Sequence, residues 1–457
     1  MLNRRQLLRA TTGFAVLGLA CPAMAADLSG IALTAMRGSI DATELGVRPG
    51  ALDDQSKAFA RLLKRADETD TPIFLPPGVY RVSNLTLPRN LRLSGVPGAT
   101  RIVYGGDGYL LLAEDTARID LTGLTFDGAN RWLSDQVQAL VDLRGVAALA
   151  MDNCAIIGSG RSGIALERSS GRIERSTVSG AAEAGIYSVE GVRLTVADNS
   201  VTDCANGGIL IHRWQRGDDG TLVTGNRVER IAARSGGTGQ FGNGINLFRA
   251  ANVIVSANMV ADCAFSAIRA NSAGNAQISG NTCLRSGETG LYQEFAFEGA
   301  VISGNIVDGA ANGISIVNFN EGGRLAVCSG NLVRNLNTTG PYDPGAPGFG
   351  CGIAAEADTT ITGNVIENAP LYGISLGWGP HLRNVVATGN IVRQAGTGIV
   401  VSVVEGAGPA IVSDNVIDGA ARGAIIGQRW AEPATGDLAK GGAEAFAHLT
   451  VERNRVS

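Results

Sequence analysis

Two short motifs recur in phase about every 23 residues, and they restrict this chain to a fold of stacked repeats. The first is a small residue, then Ile or Leu, any residue, and usually an apolar one. It falls at Ile164, Ile186, Ile209, Ile245, Ile268, Leu291, Ile314, Ile353, Ile374, Ile399 and Ile425, with gaps of 22, 23, 36, 23, 23, 23, 39, 21, 25 and 26. The second is Asn followed two residues later by a mostly apolar residue. It gives Asn153, Asn199, Asn226, Asn258, Asn281, Asn305, Asn331, Asn364, Asn390, Asn415 and Asn454. The interval from Asn153 to Asn199 is 46, two turns, with Ser176 at the missing place.

A period near 23 is too short for the common helical repeats, and each half-repeat alternates apolar with polar residues as strands do. The 63 glycines, 45% hydrophobic residues and 5% aromatics fit many short strands joined by tight turns. Glycine without a period of three, and only 14 prolines, exclude collagen and low-complexity readings. Asn suits the turns because it tolerates positive φ and its amide can bond the Asn of the next coil. The expected fold is therefore all-β: a single-stranded right-handed parallel β-helix, or solenoid, with an N-terminal capping helix. At about 4.8 Å per coil, eleven coils make a rod of roughly 50 Å.

Three segments follow. Residues 1–25 read as a twin-arginine signal peptide: Arg4-Arg5 with Leu7-Leu8, an apolar run from Phe14 to Ala20, and Ala23-Met24-Ala25 as cleavage site. The competing reading is an ordinary secretory signal. Residues 26–100 read as a cap and first strands. Asp53-Asp54-Gln55-Ser56 opens a helix with Phe59, Leu62, Leu63 and Ala66 on one face, and the turn and strand from Leu75 to Val82 follow. Such a helix covers the strand edges that the end of a solenoid exposes. Residues 101–457 are the coils.

The expected location is the periplasm or the exterior. Beyond Ala25 the formal charge is −7, which argues against a nucleic-acid or membrane-surface partner. No later apolar run is long enough to cross a bilayer. Cys154, Cys204, Cys263, Cys283, Cys328 and Cys351 fall at different points of the repeat without CxxC pairing, and read as small core residues.

The acidic-capped helix, Leu75-Pro76-Pro77-Gly78-Val79-Tyr80 and the Asn-laddered coils together resemble the pectate-lyase-type right-handed β-helix superfamily. With the paired arginines, the chain is similar to a family of twin-arginine-translocated β-helix repeat proteins. The resemblance implies a groove on the outer face of the sheet that carries the Gly-Ile motif. It leaves the activity open, because that superfamily includes lyases, hydrolases, epimerases and phage tailspikes.

If each motif Ile points inward, residues one and three places later point out. Polar residues bunch in the middle coils of those two rows: His212, Asn246, Arg269, Asn271, Tyr292 and Glu294. Two insertions flank them, one holding Trp214 and a glycine-rich piece from Ser235 to Gly242, the other Asn318 and the stretch from Leu336 to Gly350. The expectation is a cleft walled by both loops. His212, Arg269, Tyr292 and Glu294 are the catalytic candidates; Asn246, Asn271, Trp214, Asn318 and Glu356 are the substrate-binding ones. Trp378 is a further candidate for lining a sugar site.

Three chemistries compete. In β-elimination or C5 epimerisation of a uronate, Arg269 with Asn246 or Asn271 neutralises the carboxylate and His212 or Tyr292 is the base. An inverting glycosidase needs two carboxylates, and Glu294 and Glu356 share a row two coils apart, about 9.6 Å. A glycan-binding or structural repeat protein needs neither. The expected partner is a polysaccharide or oligosaccharide. No metal signature appears, and no residue pattern assigns a cofactor or an oligomeric state.

Overall fold

The computed structural model describes residues 38–457; the export signal expected at residues 1–25 lies outside the described residues. From Ile40 onward the chain winds as a right-handed parallel β-solenoid of about 14 turns. One coil shows the plan. Ala276–Ser279 pairs in a first stack, Asn281 makes the corner, Thr282–Leu284 pairs in a second stack and Thr289–Glu294 in a third. The first stack is a 16-stranded sheet, and the second and third join in a 28-stranded one. The exception to parallel pairing among the described strands is at the C-terminal end, where Glu432–Asp437 folds back antiparallel on Ile425–Arg429.

The Ile row is one register line of the third stack, running from Ile164 through Ile209, Ile268 and Ile314 to Ile425. It extends back to Val141 and Leu111, in coils that lack the Gly-Ile motif. These residues are buried, and with the inward residues of the other stacks they form one continuous apolar core. Their burial supplies the main driving force for coil stacking.

The corner between the first and second stacks is an Asn ladder. Asn281 donates from Nδ2 to Asn305 Oδ1 at 3.0 Å and to the Val255 carbonyl at 3.0 Å. Its own Oδ1 accepts from the backbone N–H and the Nδ2 of Asn258. The ladder continues to Asn454. Its start differs from the sequence expectation: Ser176 belongs to it, but Asn153 sits one residue early, in the left-handed turn position at φ 50°. Cys154 holds the ladder place, its backbone N–H donating to Ser176 Oγ at 3.1 Å. Asn suits both corner positions, so the residue type alone does not fix the register.

Ser56–Thr69 is an α-helix burying Phe59, Leu62, Leu63 and Ala66. The Asp54 carboxylate accepts from the Ser56 backbone N–H at 2.9 Å at its start. The six cysteines past residue 38 are free, and all but the half-buried Cys351 are buried.

Candidate functional site

The third stack carries the candidate residues in the expected register. Asn246 pairs with Arg269 and Arg269 with Tyr292; His212 pairs with Phe248, Phe248 with Asn271 and Asn271 with Glu294. Arg269, Tyr292, Asn271 and Glu294 therefore meet on neighbouring coils. His212 stands three coils from Glu294, about 14 Å at the backbone.

The middle of this face is filled rather than open. Arg269 donates from Nε to Glu294 Oε1 at 2.6 Å and from Nη1 to the Gly239 carbonyl at 2.7 Å. Asn271 Nδ2 donates to the same Glu294 oxygen at 2.9 Å. The Tyr292 ring lies 5.0 Å from the Arg269 guanidinium. Glu288, absent from the expected rows, accepts from Ser266 Oγ and the Tyr342 hydroxyl, each at 2.7 Å, and lies 3.7 Å from Arg269 Nη1. Arg269 is 9% exposed, Glu294 2% and Glu288 1%.

Both insertions reach this cluster. The first supplies the Gly239 carbonyl from a backbone at φ 130°, and an added Cβ there would collide with Arg269 Nη1. The second supplies Tyr342, stacked on Phe265 with centroids 6.2 Å apart. The expected cleft between the loops is thus replaced by a cover, because each loop brings a group that satisfies a buried charge. Burial pushes the Glu294 carboxyl up, with Arg269 and Asn271 pulling against it, and burial likewise raises the Tyr292 and Tyr342 hydroxyls.

Two pockets lined by candidate residues open on this face, on either side of the cover. One, of about 170 Å³, is lined by Glu356, Trp378, Tyr372, Ser315 and Ser375. Glu356 Oε2 accepts from the Phe319 N–H at 2.7 Å. Burial raises its carboxyl from the usual range to about 7, against the lowering effect of backbone N–H groups at Phe319 and Asn318. Trp378 is fixed by a tight backbone pairing with His381 and by the edge of Trp430, 5.6 Å away. The other pocket, of about 320 Å³, is lined by His212, Tyr187, Leu210 and the loop residues Gln240 and Phe241. Burial pushes His212 down to about 4, so its imidazole is neutral at ordinary pH.

The remaining candidates sit at the edge of the stack. Trp214 is 54% exposed on a bulge of the strand Gly207–Asp218, with the Arg168 guanidinium 5.8 Å from its ring. Asn318 accepts from the Phe295 N–H at 3.2 Å, a turn contact. Asn246 Oδ1 is buried without a partner among the described residues. Glu288 and Tyr342 escaped the sequence reading because Glu288 lies outside the two outward rows and Tyr342 lies in an insertion with no repeat phase. Among the described residues, no group of three or more His, Cys, Asp or Glu side chains is placed to hold a metal ion.

A family model described as "Right handed beta helix region" matches residues 105–228. No curated protein matches the chain. Among solved structures, pre-mature bacteriophage phi29 gene product 12 is 14% identical, with a TM-score of 0.52 over 89% of this chain. The chain spans 60% of the length of that protein. The N-terminal fragment of the same gene product is 13% identical, with a TM-score of 0.49 over 94% of this chain and 68% of that one. The Dettilon tailspike protein (gp208) is 15% identical, with a TM-score of 0.43 over 80% of this chain and 69% of that one. At these identities the likeness is one of fold.

Proposed function

We propose that this is an exported β-helix protein that binds polysaccharide along the outer face of its third strand stack, gripping a sugar unit in the Glu356 pocket. The observation that carries the reading is the pairing of Glu356 with Trp378 in one pocket on the face that the resemblance assigns to the groove. An indole gives the apolar face of a sugar ring a surface to stack on. A carboxyl that titrates near 7 both donates and accepts hydrogen bonds to hydroxyls around neutral pH. Export rests on the arginine pair and apolar run of residues 1–25.

Binding is favoured over turnover. Among the described residues, Glu356 is the one acid lining its pocket, and two-carboxylate hydrolysis needs a second. Glu294 supplies none, since it is 2% exposed and bonded to Arg269 and Asn271. Arg269, the group a uronate-elimination site needs free, is held by Glu294 and Gly239. A second reading draws on the raised Glu356 carboxyl, which holds a proton near neutrality as a general acid does.

The test is migration through gels containing uronate or neutral polysaccharides, with parallel assays for reducing ends and for the absorbance of unsaturated products. Retardation by at least one polymer, weakened tenfold or more in Trp378→Ala and Glu356→Gln without new products, supports binding. New products that vanish in Glu356→Gln support the second reading. Parent-like retardation in both variants refutes the pocket.

A further inference from the structure

The pocket beside His212 lies on the same face as Glu356 but five coils away, about 24 Å toward the N-terminal end. It has the makings of a separate site. His212 packs edge-on between Tyr187, 5.4 Å away, and Phe248, 5.6 Å away. Its Nε2 is buried with no hydrogen-bond partner among the described residues. Buried polar atoms are nearly always satisfied, so an orphan in a pocket wall marks a place for a ligand group.

The lining also sets the chemistry of that ligand. Leu210 and the rings of Tyr187 and Phe241 are apolar surface. Gln138 and Gln240 add amides; among the described residues, the side chain of Gln138 and the Nε2 of Gln240 have no protein partner. Of the two charged groups, Arg161 pairs with Asp135, and Glu183 accepts from the neutral Asn206 amide at 2.6 Å through one oxygen. Among the described residues, the guanidinium is already paired, which leaves an anion no free cation, and the Glu183 carboxylate keeps an oxygen free to accept from a sugar hydroxyl. What fits is a ring with apolar faces and hydroxyls around its rim.

We propose that this pocket is a second sugar-binding site, taking one neutral hexose unit with a hydroxyl hydrogen-bonded to His212 Nε2. The unit is either a free sugar or the end of a neutral chain. Gln240 and Phe241 belong to the glycine-rich insertion that covers the central cluster; because Nε2 is sealed from water, a side chain of the lining has to turn aside to admit the hydroxyl. The site extends the glycan reading of this face without needing Glu356.

Saturation-transfer NMR on the full protein tests it, with the methyl glycosides of glucose, galactose and mannose and a neutral oligosaccharide series. At least one methyl hexoside should bind, at least tenfold more weakly to His212→Phe and unchanged to Val327→Ser on the far sheet. If only the oligosaccharides bind and need His212, the site takes a chain end. No binding, or equal binding by His212→Phe, overturns the proposal. Gln138→Ala, an exposed change, decides the matter if His212→Phe fails to fold: weaker binding supports the site and unchanged binding overturns it. Hexoside binding that needs His212, in a protein whose polymer retention ignores Glu356, supports this site and refutes that one. The reverse pattern does the opposite.

Discussion

Arg269 and Glu294 face each other across one coil at 2.6 Å, on the outer side of the sheet yet almost sealed from water. They lie on the face that, in a bare solenoid, is solvated. Here the loops carrying Gly239 and Tyr342 close over them. The most functional-looking residues of the sequence therefore make a buried network that pins two insertions to the coils.

The first prediction concerns that network. Arg269→Ala leaves Glu294 and Glu288 as buried acids without their guanidinium, and should destabilise the protein by about 3–5 kcal/mol. Replacing Arg269 and Glu294 together by Met and Gln should cost clearly less. Urea midpoints of the single and double variants check this; equal losses would mean that the pairing itself contributes little.

The Asn ladder gives a second. Asn281→Ala removes the partner of two groups on Asn258, together with the donor to Val255 and Asn305. At about 1–3 kcal/mol for each buried group left unsatisfied, the loss should reach roughly 3 kcal/mol. Asn454→Ala, at the less buried end of the ladder where water reaches the groups left behind, should cost less than Asn281→Ala. Hydrogen exchange in the neighbouring coils reads both, because repeats open locally.

The two sequence motifs make the stacking register legible, because an inward Ile and a corner Asn each answer a constraint that repeats every coil. Asn153 misled because the neighbouring left-handed position also accepts Asn. The coils of Leu111 and Val141 went uncounted because their inward residues lack the small neighbour that makes the motif visible. At the site, register put Arg269, Tyr292 and Glu294 together correctly, but it says nothing about what lies above a sheet. Gly239 and Tyr342 come from insertions, where no period predicts a contact.

Glu356 supplies a pH prediction. Its carboxyl is raised to about 7 in the fold, against an ordinary value of 4.5. The folded state therefore holds the proton more tightly than the unfolded chain. Its contribution to stability is full below about pH 4.5 and is lost as pH rises through 7. Glu356→Gln removes this dependence, so its melting temperature relative to the parent should rise between pH 5 and pH 8. A difference that stays flat across that range would mean an ordinary carboxylate.

Export has its own test. Arg4→Lys with Arg5→Lys should leave the precursor in the cytoplasm, read by fractionation. Normal accumulation outside the cytoplasm would point to the general secretory route.

The position of a bound sugar tests the central claim most directly. Crystals soaked with a fragment of whichever polysaccharide retards the protein should show a ring stacked on Trp378, with a hydroxyl within hydrogen-bond distance of the Glu356 carboxyl. Density on the first stack, across the exposed Val301 and Val327, with none in the Glu356 pocket, would contradict the account.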